Sequence, residues 1–231
     1  MRPILHCLLL TPLLLFLAPA AALTPHEAVY AASYNGLPIT AKKTLARSDD
    51  GYRLSLVAKN LLGRIAETEA FHLDDSGTIH PDSYHYERSI FGRGREEIMT
   101  VEPGRSEAIY LRKGERHVIE MEDSYLGPLS YQLAMRRDLI ENNPELCYQV
   151  IYRGRVKEYR FRRLGEEKLK TRAGTFDTIK LERVRDDDQR ETLLWVAPSL
   201  DYLPVRLWQR EEDGESYEME LKASNLIDKN Q

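Results

Sequence analysis

The segment Tyr217-Glu218-Met219-Glu220-Leu221-Lys222 shows the pattern that decides the fold class. Apolar residues stand at every second position and alternate with charged residues. Successive side chains of a β-strand point to opposite faces of the sheet, so this segment buries one face and exposes the other to water. Strands with one solvated face are typical of antiparallel sheets. The segment therefore predicts a half-buried antiparallel strand.

The same alternation recurs through most of the chain, for example in the segments 53–56, 159–162 and 205–210. Short turn signals separate the alternating segments. They are Ser48-Asp49-Asp50-Gly51, Asp74-Asp75-Ser76-Gly77, Glu102-Pro103-Gly104, Arg112-Lys113-Gly114, Arg172-Ala173-Gly174 and Asp213-Gly214. Turn residues at such intervals predict a succession of β-hairpins.

One segment in the middle of the chain has the periodicity of a helix. Between Pro128 and Asn142 the apolar residues Leu129, Leu133 and Ile140 recur at helical spacing. Proline suits the first turn of a helix, and the sequence Asn142-Asn143-Pro144 ends the run. We predict one amphipathic helix here.

These elements together predict a mainly β (α+β) fold. A curved antiparallel sheet would form a half-open β-barrel, with the mid-chain helix packed on its concave face. The chain lacks the regular exchange of strands and helices that a parallel α/β sheet requires, and no Gly-rich nucleotide loop follows a strand. Rossmann and P-loop folds are therefore excluded.

The N-terminus indicates export. Arg2 precedes an apolar core from Ile4 to Leu17, and Ala20-Ala21-Ala22 resembles a cleavage site before Leu23. The apolar core is shorter than the roughly 20 residues that a bilayer-spanning helix needs. We predict a cleaved signal peptide over residues 1–22, a periplasmic location, a single β-rich domain over residues 23–231 and no transmembrane span in the mature chain.

The two cysteines argue against a lipid anchor and against an internal disulfide. Cys7 lies inside the apolar core of the signal peptide, so processing removes it, and a lipoprotein needs its cysteine at the cleavage site itself. Cys147 is then the one cysteine of the mature chain. We expect it at a buried strand position.

Charge is distributed unevenly along the chain. The net charge of −4 argues against nucleic-acid binding, whereas residues 150–172 hold nine Lys and Arg against three Glu. Arg160 and Arg162 share one strand face, opposite Tyr159 and Phe161. Together with Arg153 and Arg155 they form a candidate patch for an anionic partner; alternatively, they are a solvated outer face whose charges pair with nearby Glu residues.

Three segments near the C-terminus resemble a known family. They are Ala173-Gly174-Thr175-Phe176-Asp177-Thr178-Ile179-Lys180, then Trp195-Val196-Ala197-Pro198-Ser199-Leu200-Asp201-Tyr202-Leu203-Pro204-Val205-Arg206, and Glu212-Asp213-Gly214. These segments look like the exported bacterial family DUF3108. The resemblance is densest over residues 165–224 and looser over the rest of the mature chain.

The resemblance implies a location and a shape rather than a chemistry. The family has no established activity, so it provides no catalytic residues. Its members are similar to periplasmic proteins built on a curved antiparallel half-barrel. A more distant likeness is to the lipoprotein-carrier fold, which shelters acyl chains in its concavity; that step is an analogy between folds and does not establish function.

Candidate ligand-binding residues are the apolar side chains of the helix and the aromatic residues of the last strands. Aromatic rings at the mouth of a cavity bind lipids or sugars, although packing in the core explains the same residues. The candidates are Leu129, Leu133, Ile140, Trp195, Tyr202 and Trp208.

The sequence indicates neither a metal site nor an active site. His80 and His85 are five residues apart, which places them on opposite faces of a regular strand, so one metal ion would not readily bind both. No G-x-S-x-G motif is present, and the acidic runs 186–188 and 211–213 adjoin turns. We therefore expect no metal, no cofactor and no catalytic residue.

Three functional hypotheses remain. The first is a monomeric carrier or sensor that holds a lipid or another amphipathic ligand in an apolar concavity, and a cavity under the helix would favour it. The second is an envelope assembly factor that engages another protein through its sheet surface or an edge strand. The third is a hydrolase of envelope polymers, for which the sequence offers no positive feature.

Overall fold

The computed structural model describes residues 22–102, 104, 106–185 and 190–227. The predicted signal peptide lies outside the described residues except for Ala22. Fifteen strands form one curved sheet that does not close into a barrel. The predicted fold class is confirmed.

The strands run in two series along the chain. The first series comprises β1 (His26–Tyr34), β2 (Leu37–Ser48), β3 (Gly51–Lys59), β4 (Gly63–Leu73), β5 (Ile79–Ile90), β6 (Arg93–Val101), β7 (Glu107–Arg112) and β8 (Glu115–Glu120). The second comprises β9 (Tyr125–Leu126), β10 (Leu146–Tyr152), β11 (Arg155–Thr171), β12 (Gly174–Val184), β13 (Glu191–Ala197), β14 (Leu203–Arg210) and β15 (Ser216–Ser224). The helix α1 (Tyr131–Ile140) lies between β9 and β10.

Consecutive strands pair with one another except β8 and β9, and β1 also pairs with β15. The first and last strands therefore meet in the middle of the sheet, and β8 and β9 are its edges. All described pairs are antiparallel except β9 with β10. The predicted hairpins are confirmed at most turns; one of them, around Pro103, lies partly outside the described residues.

The helix is shorter than the predicted segment and begins after Ser130. Its start is determined by a buried carboxylate: Oε2 of Glu69 on β4 accepts hydrogen bonds from the backbone N–H groups of Leu129 (2.7 Å) and Ser130 (3.1 Å). These are donors that a helix N-terminus leaves unpaired. A Cβ on Gly127 would lie 2.1 Å from Oε1 of Glu69, so only glycine fits beside this carboxylate.

The helix closes one end of the curved sheet. Arg136 Nε donates to the carbonyl oxygen of Asp201 (2.6 Å), and Arg137 donates to the carbonyl oxygen of Gly77 (2.8 Å). Both acceptors lie in loops at the end of the sheet that also carries the turn at 49–50; we call it the closed end. The other end carries the turns at 35–36, 60–62, 91–92 and 153–154, and we call it the open end.

The hydrophobic core fills the closed end. Leu54, Phe71 and Met99 point inward from the strands and are fully buried, and they belong to the same core cluster as Met135 and Leu139 of the helix. Each buried aliphatic or aromatic side chain stabilises the fold by about 1.5–3 kcal/mol. The helix therefore provides the second layer that a sheet with one apolar face needs.

The position predicted for Cys147 is wrong. Leu146, Tyr148 and Val150 of β10 are buried, so strand alternation turns Cys147 to the outer face, where it is exposed.

The prediction that His80 and His85 lie on opposite faces is also wrong. The pairing of β4 with β5 shifts register between Ala70 and Phe71, where the residue between Pro81 and Ser83 has no partner. This bulge reverses the alternation, so Ile79 and Tyr84 are both buried and both histidines face outward.

We expect the substitution Glu69→Ala to lower the free energy of unfolding by about 2–4 kcal/mol, because it leaves two buried N–H groups of the helix start without an acceptor. Urea denaturation monitored by circular dichroism measures this change. The control is Glu87→Ala on the outer face, where the ion pair with Arg64 is half-exposed and a change below about 0.5 kcal/mol is expected. Equal losses in both variants would contradict this role of Glu69.

Candidate functional site

An apolar cavity of about 940 Å³ opens at the open end of the sheet. Its wall consists of inward-facing residues near the ends of β2 to β5, namely Ile39, Leu56, Ala58, Ile65 and Ile90. Ala58 and Ile65 are direct cross-strand partners. The helix supplies its apolar side chains to the closed end. Leu56 and Ala58 pack against the core cluster that contains Ala41, but the helix does not cover this wall, which faces the open space. The volume lies within the range of ligand pockets.

Buried polar side chains occupy the space between this cavity and the helix. Glu67 lines the cavity and accepts a hydrogen bond from the Tyr84 hydroxyl group (2.8 Å). Lys43, which is buried on β2, donates to the side-chain oxygen of Gln132 on the helix. Glu69 lies next along β4 on the same face. These groups link the inner end of the cavity to the start of the helix.

Burial controls the protonation of these groups. It raises the pKa of Glu69 from 4.5 to about 7, although hydrogen bonds from Ser130 and Leu129 oppose the shift. Burial also lowers the pKa of Lys43 to about 7, with a further decrease from the nearby Arg136 charge. The pKa of Glu67 is raised for the same reason. Each shift favours the uncharged form of the group, as expected away from water.

A second concavity of about 620 Å³ adjoins the first, and we call it the basic cleft. It forms where β11 and β12 are not paired with each other. The ladder between β11 and β12 begins at the pair Arg160 and Val184, so residues 155–159 pair with β10 alone. Residues of both concavities include Arg153, Arg190, Glu211 and Glu212, which places the cleft beside the apolar cavity.

Positive charge predominates within the basic cleft. Lys157 and Arg183 line it, and neither makes an ion pair within the described part of the chain. The Arg183 guanidinium lies 3.4 Å from the ring centroid of Tyr159, and its Nε is buried without a hydrogen-bond partner. Burial is the main cause that lowers the pKa of Lys157, and the charges of Arg155 and Arg183 lower it further. An anionic group would relieve this repulsion.

The predicted ligand-binding residues lie elsewhere: five form two groups, and Ile140 stands apart. Leu129 and Leu133 are buried in the core under the helix, and Tyr202 packs against the same cluster. Trp195 is buried between Lys180 and Arg206, and Trp208 packs against the cluster that contains Trp195. Ile140 is 56% exposed at the end of the helix. None of the six lines the apolar cavity.

The four arginines of the predicted anionic patch also separate. Arg153 lies at the open end and lines both concavities. Arg155 is exposed at the start of β11. Arg160 pairs with Glu158 (2.7 Å) and also lines the basic cleft, whereas the exposed Arg162 pairs with the half-buried Glu182. The paired outer face describes the geometry of Arg162.

Sequence reasoning did not identify the wall of the cavity, and it did not identify Arg183 of the basic cleft. The wall residues stand at the inward positions of their alternating strands. Their location next to the turns of the open end is the feature of the sequence from which they could have been found. Lys157 stands in the basic segment, but Arg183 is distant in sequence, and only the split between β11 and β12 brings the two together.

One group of possible metal ligands lies on the outer face. His85 donates to Glu96 (2.8 Å), Glu87 is 3.8 Å away, and ligand atoms of the three residues lie within 4.8 Å of one another. All three side chains are exposed to a large degree, and the hydrogen bond alone accounts for their approach.

The family model described as "Protein of unknown function (DUF3108)" matches residues 29–222. The chain belongs to the DUF3108 family. The match extends from β1 to β15, so the family corresponds to the whole curved sheet, including both concavities. None of the curated proteins matches this sequence.

Two solved structures are similar to this DUF3108 chain at low identity. A β-barrel-like protein of the domain of unknown function DUF1849 from Brucella abortus has 10% sequence identity and a TM-score of 0.56, and the match covers 89% of this chain and 98% of that one. A Bacteroides fragilis protein with a YmcC-like fold has 10% identity and a TM-score of 0.35, with coverage of 90% and 98%. The similarity to the Brucella protein confirms the fold and carries no information about function.

Within the described residues no helix has the length and apolar character needed to cross a bilayer.

We expect the stability of the protein to depend on the protonation of Glu69. Because folding raises the pKa of this acid, its favourable contribution is fully present below pH 4.5 and is lost as the pH rises through about 7. Relative to the variant Glu69→Gln, wild-type protein should lose up to about 3 kcal/mol of unfolding free energy over this interval. Urea titrations at several pH values measure this difference. Parallel pH profiles for the two proteins would refute the assignment.

Proposed function

We propose that this protein is a non-catalytic periplasmic binding or carrier module for an amphipathic envelope molecule with an apolar chain and an anionic head group. The observation that carries the proposal is the apolar cavity, which opens at one end of the sheet and adjoins the basic cleft. The periplasmic location rests on the signal-peptide pattern of residues 1–22.

The two concavities suit the two parts of such a molecule. The wall of the cavity offers aliphatic side chains to an acyl chain, and burial of a chain stabilises a complex by about 0.8 kcal/mol per CH₂ group. Lys157, Arg183 and Arg153 lie beside the cavity and offer hydrogen-bond donors to a phosphate or carboxylate. The ligand would enter tail first from the open end and leave its head group at the cleft.

Because the core under the helix is filled, the ligand would enter at the open end. Leu133 and Met135 are packed against the strands, so α1 acts as a fixed plug. An apolar chain would then extend as far as Glu67 and Tyr84. Burying it against these two polar groups would be unfavourable, because it would replace their polar contacts.

An assembly factor is the second candidate, and the edge strand β8 is the observation that favours it. Val118 is exposed on this edge, where backbone groups lack a neighbouring strand. However, Glu115, Arg116 and Glu120 surround it, and charged residues on an edge normally prevent pairing with another chain. The carrier is therefore our first choice.

We expect wild-type protein to bind lysophosphatidylglycerol, which has one acyl chain and an anionic head. The substitution Ile65→Asp should weaken binding at least about tenfold, since it places a charge in the apolar wall. Isothermal titration calorimetry below the micelle concentration measures the affinity. The control is Leu111→Asp, an equal change at an exposed position of β7. Absence of binding to wild-type protein, or equal losses in both variants, would exclude the proposed site.

The head-group contact can be tested separately with the substitution Lys157→Glu. We expect it to weaken binding of lysophosphatidylglycerol about tenfold and to leave that of zwitterionic lysophosphatidylcholine almost unchanged, because the cleft recognises net negative charge. The same titrations measure this ratio. The control is Arg162→Glu on the outer face. A Lys157 variant that loses both ligands equally would argue against a head-group role for the cleft.

A further inference from the structure

Apolar side chains project from the turns around the mouth of the cavity. Leu61 is fully exposed, Phe91 is 75% exposed, and Leu37 and Leu62 are also exposed. We call these four residues the apolar tips. They come from three separate hairpins at the open end, and exposed groups of large apolar residues commonly mark an interaction site.

The backbone holds the apolar tips in place. Asn60 Oδ1 accepts hydrogen bonds from the N–H groups of Leu62 (2.9 Å) and Gly63 (3.0 Å), which orders the loop that carries Leu61. The N–H group of Phe91 donates to the carbonyl oxygen of Leu62 (3.1 Å) and ties the two hairpins together. The tips are therefore presented as one surface.

The backbone of Phe91 adopts an unfavourable conformation. Its φ angle is 49°, in the left-handed region, which is uncommon for a bulky residue. The next residue, Gly92, has a φ angle of 73°, and Asn or Asp before glycine is the usual choice in such a turn. An exposed aromatic ring in this position adds little packing, so a contact outside the protein is the better explanation for it.

Two of these three hairpins carry basic residues beside their tips. Lys59 and Arg64 flank the tip at Leu61, and Arg88 and Arg93 flank the tip at Phe91; all four are exposed. Neither segment 59–64 nor segment 88–95 contains an acidic residue, although the whole chain has a net charge of −4. The loop between β14 and β15, which adjoins the hairpin of Leu37, is acidic instead, with Glu211, Glu212, Asp213 and Glu215.

We propose that the apolar tips and these four basic residues form a docking surface for a bilayer that contains anionic phospholipid. Protruding apolar side chains enter the boundary between head groups and acyl chains, while adjacent Lys and Arg remain at the level of the phosphates. Repulsion from anionic lipid would keep this acidic loop farther from the bilayer than the basic hairpins, which would tilt the molecule. Docking would bring the mouth of the cavity onto the lipid surface.

Flotation with vesicles of phosphatidylglycerol and phosphatidylethanolamine tests the proposal. We expect wild-type protein to float with these vesicles, to bind pure phosphatidylcholine vesicles more weakly, and to lose binding at high salt. The substitution Leu61→Asp should reduce binding at least about tenfold without affecting the fold, because this side chain is fully exposed. The matched control is Ile140→Asp at the closed end, which should float like wild-type protein.

Failure of docking and failure of the carrier function are distinguishable. Leu61 does not line the cavity, so Leu61→Asp should keep its affinity for lysophosphatidylglycerol, whereas Ile65→Asp should still float with vesicles. Wild-type protein that does not float, or a Leu61 variant that floats as well as wild type, would overturn the docking proposal. Equal losses for Leu61→Asp and Ile140→Asp would overturn it as well.

Discussion

The carboxylate of Glu69 accepts the N–H groups of Leu129 and Ser130, directly before α1, and the rest of the architecture depends on this contact. It joins the middle of β4 to the helix start, and it requires a glycine at position 127. Because the helix is fixed there, its apolar side chains fill one end of the curved sheet. The other end receives no second layer.

This asymmetry explains why a cavity exists at all. A sheet with one apolar face must cover that face, and a ten-residue helix covers only part of the concave surface of fifteen strands. The uncovered residues, such as Ile39 and Ile65, remain in contact with an open space. The buried Lys43 and the half-buried Glu67 and Gln132 lie at the boundary between the filled and the open part.

Three features meet at the open end: an apolar wall, a surplus of positive charge in the cleft, and apolar tips beside basic residues. Each has a different structural origin. The wall follows from strand alternation, the cleft from the split between β11 and β12, and the tips from the turns. Their location at one end is what makes a lipid-related role the simplest explanation for all three.

The sequence by itself determined the alternation of the strands, the turns that separate them, the single helix and the DUF3108 family, because each of these is encoded in residues close together in the chain. The tertiary structure alone decided which end of the sheet is filled. Glu69 and Lys43 are charged residues at inward positions of their strands, on the same face as Phe71 and Leu45, and the helix completes their burial. The bulge that turns His80 and His85 to one face, and the approach of Arg183 to Lys157, depend on register between strands. Register is decided by contacts between residues far apart in the chain, and local patterns do not contain that information.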